Sequence, residues 1–210
     1  MIAYASRTGT RRNLDAMRAA GWHLLVVAGA VLRHEGFPYA LDNGAWSCFQ
    51  RGVAFDEGAF LAALEALGTG AEFVVVPDIV AGGLDSLKFS EQWLPRLEGV
   101  GCRRLVAVQD GMAPWDVEPL LGPAVGIFVG GSTEWKWGSL PYWAALARRR
   151  RCYLHVGRVN TANKIRECAR VGADSFDGTS ATRFAVTLPM LDAQRRQPAL
   201  LPDDWSDRCD

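Results

Sequence analysis

Short apolar runs recur along this chain, each bounded by turn-forming residues. Eight read as strands: 2–6 (IAYAS), 23–29 (HLLVVAG), 39–44 (YALDNG), 72–78 (EFVVVPD), 104–110 (RLVAVQD), 125–131 (VGIFVGG), 152–157 (CYLHVG) and 173–179 (ADSFDGT). Most are continuously apolar rather than alternating, as strands covered on both faces are. Helical spacing fills 56–68, 85–99, 139–150 and 160–172. Each of these stretches begins near an Asp, Ser or Asn that can cap a first turn, and several stop at Gly. The second unit is the thin one, because 29–39 leaves room for little helix. Repeated strand-helix units predict one domain over 1–210, a (β/α)8 barrel of the TIM type, compact against the usual size of about 250 residues. A doubly wound open sheet is the alternative. The tail at 197–210, rich in Pro and Asp, is expected to be loosely ordered.

Composition narrows the function classes. Charged residues make up 22% of the chain and the formal net charge is zero, so no global positive field advertises a nucleic-acid partner. The basic clusters are Arg11-Arg12 and Arg148 to Arg151. The five cysteines lack CxxC spacing, which predicts reduced thiols and no structural zinc. Neither a signal peptide nor a membrane span is read, and a cytoplasmic location is expected. No P-loop or GxGxxG is present, so no cofactor is called.

Candidate chemistry lies at the carboxyl ends of the strands, where ligands sit in both parallel folds. Strand three ends in Asp42-Asn43-Gly44, four in Pro77-Asp78, five in Gln109-Asp110, six in Gly130-Gly131-Ser132, seven in Gly157-Arg158 and eight in Asp177-Gly178-Thr179. Carboxylates crowded at one rim push one another's pKa values apart, which is what distinct acid, base and nucleophile roles need. Each residue alone also has a plain reading as a turn or a helix cap. The joint placement is what singles them out.

DNGAW (42–46), VVPDIVAGG (75–83), VQDG (108–111), FVGGS (128–132) and HVGRVNTANKIRECARVGADSFDGTSATR (155–183) follow the order of pocket motifs in the tRNA-guanine transglycosylase superfamily. The chain resembles most its zinc-less phage and bacterial members that place 7-deazaguanines in DNA. This resemblance covers roughly 39–185. It implies Asp177 as the nucleophile at the sugar C1′, forming a glycosyl-aspartate; by position alone, Gly178 beside it, lacking a side chain, is expected to leave room for substrate. It implies Asp42 as the acid/base carboxylate and Trp46 as the aromatic stacked on the base. Asp78 would read the Watson–Crick edge, Gln109 and the Gly130-Gly131 backbone would bond the heterocycle, and Leu154 would close its other face. The implied partners are DNA, favoured over tRNA, with guanine and a 7-deazaguanine as small substrates. Exposed Trp135 and Trp137 would stack on the strand, and Lys136 and Arg148 to Arg151 would hold phosphate. Only Gly178 to Asp210 follow the proposed nucleophile, too short a stretch for the family's cysteine-rich zinc subdomain. His155 stands where the family usually has Gly. Two other classes fit the same residues: a small barrel hydrolase or isomerase using Asp42, Asp78 and Asp177 for acid/base work, and a non-catalytic binding module.

Overall fold

The computed structural model describes residues 1–7, 10–183 and 185–197. Eight parallel strands close into a barrel in sequence order: β1 (Ile2–Ser6), β2 (His23–Val27), β3 (Tyr39–Asp42), β4 (Phe73–Val75), β5 (Arg103–Val108), β6 (Val125–Val129), β7 (Leu154–Val156) and β8 (Ser175–Gly178). The helices are α1 (Arg11–Ala20), α2 (Ala45–Gln50), α3 (Glu57–Leu67), α4 (Leu84–Trp93), α5 (Pro114–Val117), α6 (Thr133–Arg150), α7 (Ala162–Val171), α8 (Ser180–Arg183) and α9 (Leu188–Arg196). This is the (β/α)8 barrel rather than the open sheet, because β1 pairs with β8. Among the described residues no helix is long and apolar enough to cross a membrane. Apart from Gln197, the tail expected to be loosely ordered lies outside the described residues.

Strand alternation divides the apolar residues into two sets. Leu24, Val26, Leu41, Val74, Val106, Ile127, Val129, Leu154, Val156 and Phe176 face the helices in the main core. Tyr4, Leu25, Ala40, Phe73, Val75 and Leu105 fill the barrel interior. As the sequence suggested, no helix joins β2 to β3. Phe37 from the connecting segment is buried in its place, under the Arg18 guanidinium 4.5 Å from its ring centre.

Two helices differ from the sequence reading. α1 was not read, because apart from Leu14 and Met17 its sequence RRNLDAMRAA is charged or small. α6 begins at Thr133 rather than at 139, with Pro141 inside it. A proline within a helix removes one backbone bond and so reads as a start. Packing overrides that here: Leu140, Trp143, Ala144 and Leu146 are all buried.

Candidate active site

A cavity of about 840 Å³ opens at the carboxyl end of the barrel. Asp42, Asp78, Gln109 and Asp177 all line it, with Trp46, Gly130, Gly131 and Arg158. Leu25, Val27, Val75, Ala107, Val108 and Phe128 make the rest of its wall largely apolar.

Asp42 ends β3, and its Oδ1 accepts the Gly44 N–H at 2.7 Å. The chain must turn sharply there: Gly44 has φ 82°, and a Cβ would lie 2.5 Å from the Ala28 carbonyl oxygen. Enclosure by protein raises the Asp42 pKa to about 7. The Gly44 bond opposes the shift, and the like charges of Asp177 and Asp78 add to it. Near neutrality Asp42 is therefore a carboxyl that both holds and releases a proton.

Asn43 fixes Asp78. Its Nδ2 donates to Asp78 Oδ1 and to the Val76 carbonyl, both at 2.8 Å, and its Oδ1 accepts the Ala45 N–H at 2.8 Å. Burial lifts Asp78 to about 6 even though the Asn43 bond favours the ionised form. Removing the buried amide leaves the Val76 carbonyl and the Ala45 N–H without these partners. Asn43→Ala is thus expected to lower stability by about 2–4 kcal/mol, read as a lower urea midpoint at unchanged m-value.

Asp177 is buried on β8. Its Oδ2 lies 3.0 Å from His155 Nε2, and the Arg158 N–H reaches both carboxylate oxygens at 3.3 Å. Arg158 adopts φ 57°, the left-handed conformation that costs a non-glycine residue about 1 kcal/mol or more. That turn is braced from three sides. The Arg158 guanidinium bonds the Gly131 carbonyl and lies 4.6 Å over the Trp46 ring, and Lys136 donates to the Gly157 carbonyl.

The contacts of individual residues match some expectations and correct others. Leu154 points away from the cavity into the helix layer, because β7 turns 153, 155 and 157 inward and 154 outward. Gln109 has both ends of its amide engaged, donating to the Ile79 carbonyl and accepting from Ala81, so it holds the loop after β4. Gly130 spends its N–H on the Val108 carbonyl. Gly178 does not make room for substrate, since a Cβ there would lie 2.3 Å from the Val159 carbonyl oxygen. Trp46 is at the mouth, with Arg158 over one face and Phe49 beside it at 5.7 Å. Trp135 and Trp137 belong to α6 and pack against the core. Lys136 is buried, and its pKa falls to about 8 chiefly through that burial. Arg148 to Arg151 lie at the opposite, amino end of the barrel. There Arg148 and Arg150 bond the Val171 and Leu121 carbonyls and Arg149 pairs with Glu118.

Sequence reading missed the roles of His155, Arg158, Asn43 and Lys136. One signal was present for the first. His155 on β7 shares its inward parity with Tyr153, and Ser175 shares it with Asp177 on β8. Two polar residues in register on neighbouring inward faces mark a network. Among the described residues no three His, Cys, Asp or Glu side chains are grouped to hold a metal ion.

No family model matches this chain, and no curated protein matches it. Solved structures do resemble it. Tryptophan synthase from M. tuberculosis in an aminoacrylate-bound form is 16% identical with a TM-score of 0.51, over 92% of this chain and 89% of that one. Tryptophan synthase subunit alpha from Campylobacter jejuni is 12% identical with a TM-score of 0.52, over 92% and 93%. At such identities the likeness establishes the barrel fold alone. The transglycosylase reading is corrected too: neither a family model nor a curated relative supports a guanine transglycosylase, a pentosyltransferase class or a phage DNA-modification role, and the solved structures named above are tryptophan synthase chains.

Proposed function

We propose that this protein is an acid/base enzyme, a small barrel isomerase or hydrolase, acting on a neutral or cationic small molecule. The observation that carries the reading is the carboxyl group of Asp42. It is poised at about 7 in a largely apolar cavity that it shares with Asp177 and Asp78. A catalytic acid works best when its pKa lies near the working pH. Asp42 is the acid in this reading, and Asp177, backed by His155, is the base.

Charge argues for the substrate class. Four carboxylates line the cavity against the single guanidinium of Arg158. That of Asp110 is taken up by the Ser132 hydroxyl and N–H, both at 2.6 Å, which leaves Asp42, Asp78 and Asp177. Barrel enzymes often seat phosphate between the loops after strands seven and eight. Here the Thr179 and Ser180 N–H groups both donate to Asn160 Oδ1, at 2.9 and 3.0 Å. An uncharged polyol, sugar or amino alcohol, presenting donors to the carboxylates and an apolar face to Phe128 and Trp46, suits this lining better than a phosphate ester.

The test incubates the protein with mixtures of such compounds in heavy water and follows deuterium uptake at carbon, or cleavage, by mass spectrometry. Conversion of one class is expected, with kcat/KM falling as pH rises through about 7, where Asp42 loses its proton. Conversion that persists in both Asp42→Asn and Asp177→Asn would sink the reading, as would turnover confined to phosphorylated compounds.

A further inference from the structure

Lys136 carries a charge that the fold of α6 does not need. It stands in the first turn of that helix with only 2% of its surface exposed. Both circumstances count against a cation. Burial strips the ammonium of water, and the first turn of a helix presents the positive end of its dipole. Nearby cations add to the cost, because Arg158 and Lys164 both disfavour the Lys136 charge. The Cys168 thiol, pushed up to about 12 by burial, is neutral. The carboxylate that favours the charge is Asp177. Yet the Lys136 ammonium does not bond that carboxylate; it donates to the Gly157 carbonyl at 2.5 Å.

The Gly157 carbonyl and the Arg158 N–H belong to one peptide group, and that N–H reaches both Asp177 oxygens at 3.3 Å. A cation therefore sits on the oxygen of this peptide and a carboxylate on its hydrogen. Both contacts draw electrons the same way along the peptide, so each strengthens the other. The backbone on either side is held. The Gly157 N–H donates to the Val129 carbonyl at 3.0 Å, and the Val159 N–H to the Asp177 carbonyl at 2.6 Å. The peptide comes this close because residue 157 lacks a side chain. A Cβ there would lie 2.8 Å from the Phe128 ring and 3.4 Å from Asp177 Oδ2.

We propose that Lys136 is a positioning residue for Asp177: its charge reaches the carboxylate through the Gly157–Arg158 peptide and holds it in one orientation in the cavity. The proposal rests on the reading above, in which Asp177 receives a proton. His155 Nε2 holds Oδ2 alone, at 3.0 Å, and one contact leaves a carboxylate free to turn about it. The like charge of Asp42 pushes against it. The strengthened Arg158 N–H, shared by both oxygens, supplies the second hold. Lys136 does this without lining the cavity, so it takes no part in binding substrate.

Amide spectra of 15N-labelled protein test this without substrate, so failure of the positioning is distinct from failure of the enzymatic reading. Burial lowers the Lys136 pKa to about 8, which brings its charge within reach of a titration. The wild-type Arg158 amide proton is expected to shift upfield with a midpoint near pH 8, as the carbonyl loses its cation. Lys136→Met keeps the length of the side chain without the charge or the donor. That step should vanish in it, while any steps that follow Asp42 and Asp78, at about 7 and 6, persist. Asp177→Asn removes the carboxylate that favours the Lys136 charge, so the midpoint should fall below that of wild type. If Lys136→Met does not fold, the wild-type and Asp177→Asn titrations decide alone. On a substrate found by the deuterium screen, Lys136→Met is expected to lower kcat about 10–100-fold with KM little changed, the cost of a misplaced reacting group. A wild-type Arg158 amide with no step near pH 8 would overturn the proposal. So would a midpoint unmoved in Asp177→Asn, or a folded Lys136→Met that keeps the step or the wild-type kcat.

Discussion

Replacing Asp177 with Asn is expected to lower turnover by roughly 10²–10⁴-fold, the usual span for a lost general acid or base. An amide cannot take up a proton near neutral pH, but it keeps the size of the carboxyl group. Its oxygen can still accept the Arg158 N–H, and its NH2 can face His155 Nε2, so the barrel and its cavity are retained. The loss should therefore fall on kcat with KM little changed. Steady-state kinetics on the substrate found by the deuterium screen measures it. Activity within tenfold of wild type would remove Asp177 from the chemistry.

Asp42→Asn is expected to trade activity for stability. Without its exchangeable proton the cavity loses its acid, and kcat should again fall by roughly 10²–10⁴-fold. The pH limb near 7 should disappear with it. The stability effect has a definite sign. The folded-state pKa of Asp42, about 7, lies above its ordinary value of 3.8, so the folded protein holds a proton that the unfolded chain gives up. That contribution is fully present below about pH 4 and is lost as pH rises through about 7. A neutral amide escapes the loss, and its oxygen keeps the Gly44 bond. Above pH 8 the variant should be more stable than wild type, on the order of 2–4 kcal/mol from a shift of about three units. At pH 4 the difference should vanish. Urea unfolding at the two pH values checks this, and a variant less stable than wild type at pH 8 would contradict the burial argument.

The barrel was legible because its strands are short apolar runs bounded by turn residues, and each of the eight runs contains or overlaps an observed strand. The rim was legible for a related reason. A polar residue directly after such a run, as in Asp42 or Asp78, has left the covered part of the strand and is turned toward the mouth. What lay inside the run was harder to see. His155 sits between Leu154 and Val156, where apolar neighbours hide it from any reading by hydrophobic pattern. Lys136 looked solvated because a cation between two tryptophans in a polar stretch usually is. Its burial follows from the position of α6 over the turn after β7, which no local pattern reports. Leu154 shows the reverse failure. The side of a barrel wall to which a residue points depends on strand parity, and one residue separates the cavity from the helix layer.

The pairing of β1 with β8 carries a consequence for how this chain reaches its native state. The other seven joints link strands that are consecutive in sequence and can form from more local contacts, whereas the closing joint brings Tyr4 opposite Asp177. Closing so long a loop is the slow kind of step, because its entropic cost precedes its contacts. Inward-facing polar side chains flank that joint: Tyr4 comes from one side, and Ser175 and Asp177 from the other. A slip of β8 by one residue would turn Phe176 inward and carry Ser175 and Asp177 into the helix layer without partners. These polar groups therefore act as a proofreading device for ring closure, since the correct register is the one that keeps Ser175 and Asp177 on His155. An incompletely closed ring lacks the cavity that Asp42, Asp78 and Asp177 share, so assembly and the capacity for catalysis arrive in a single event.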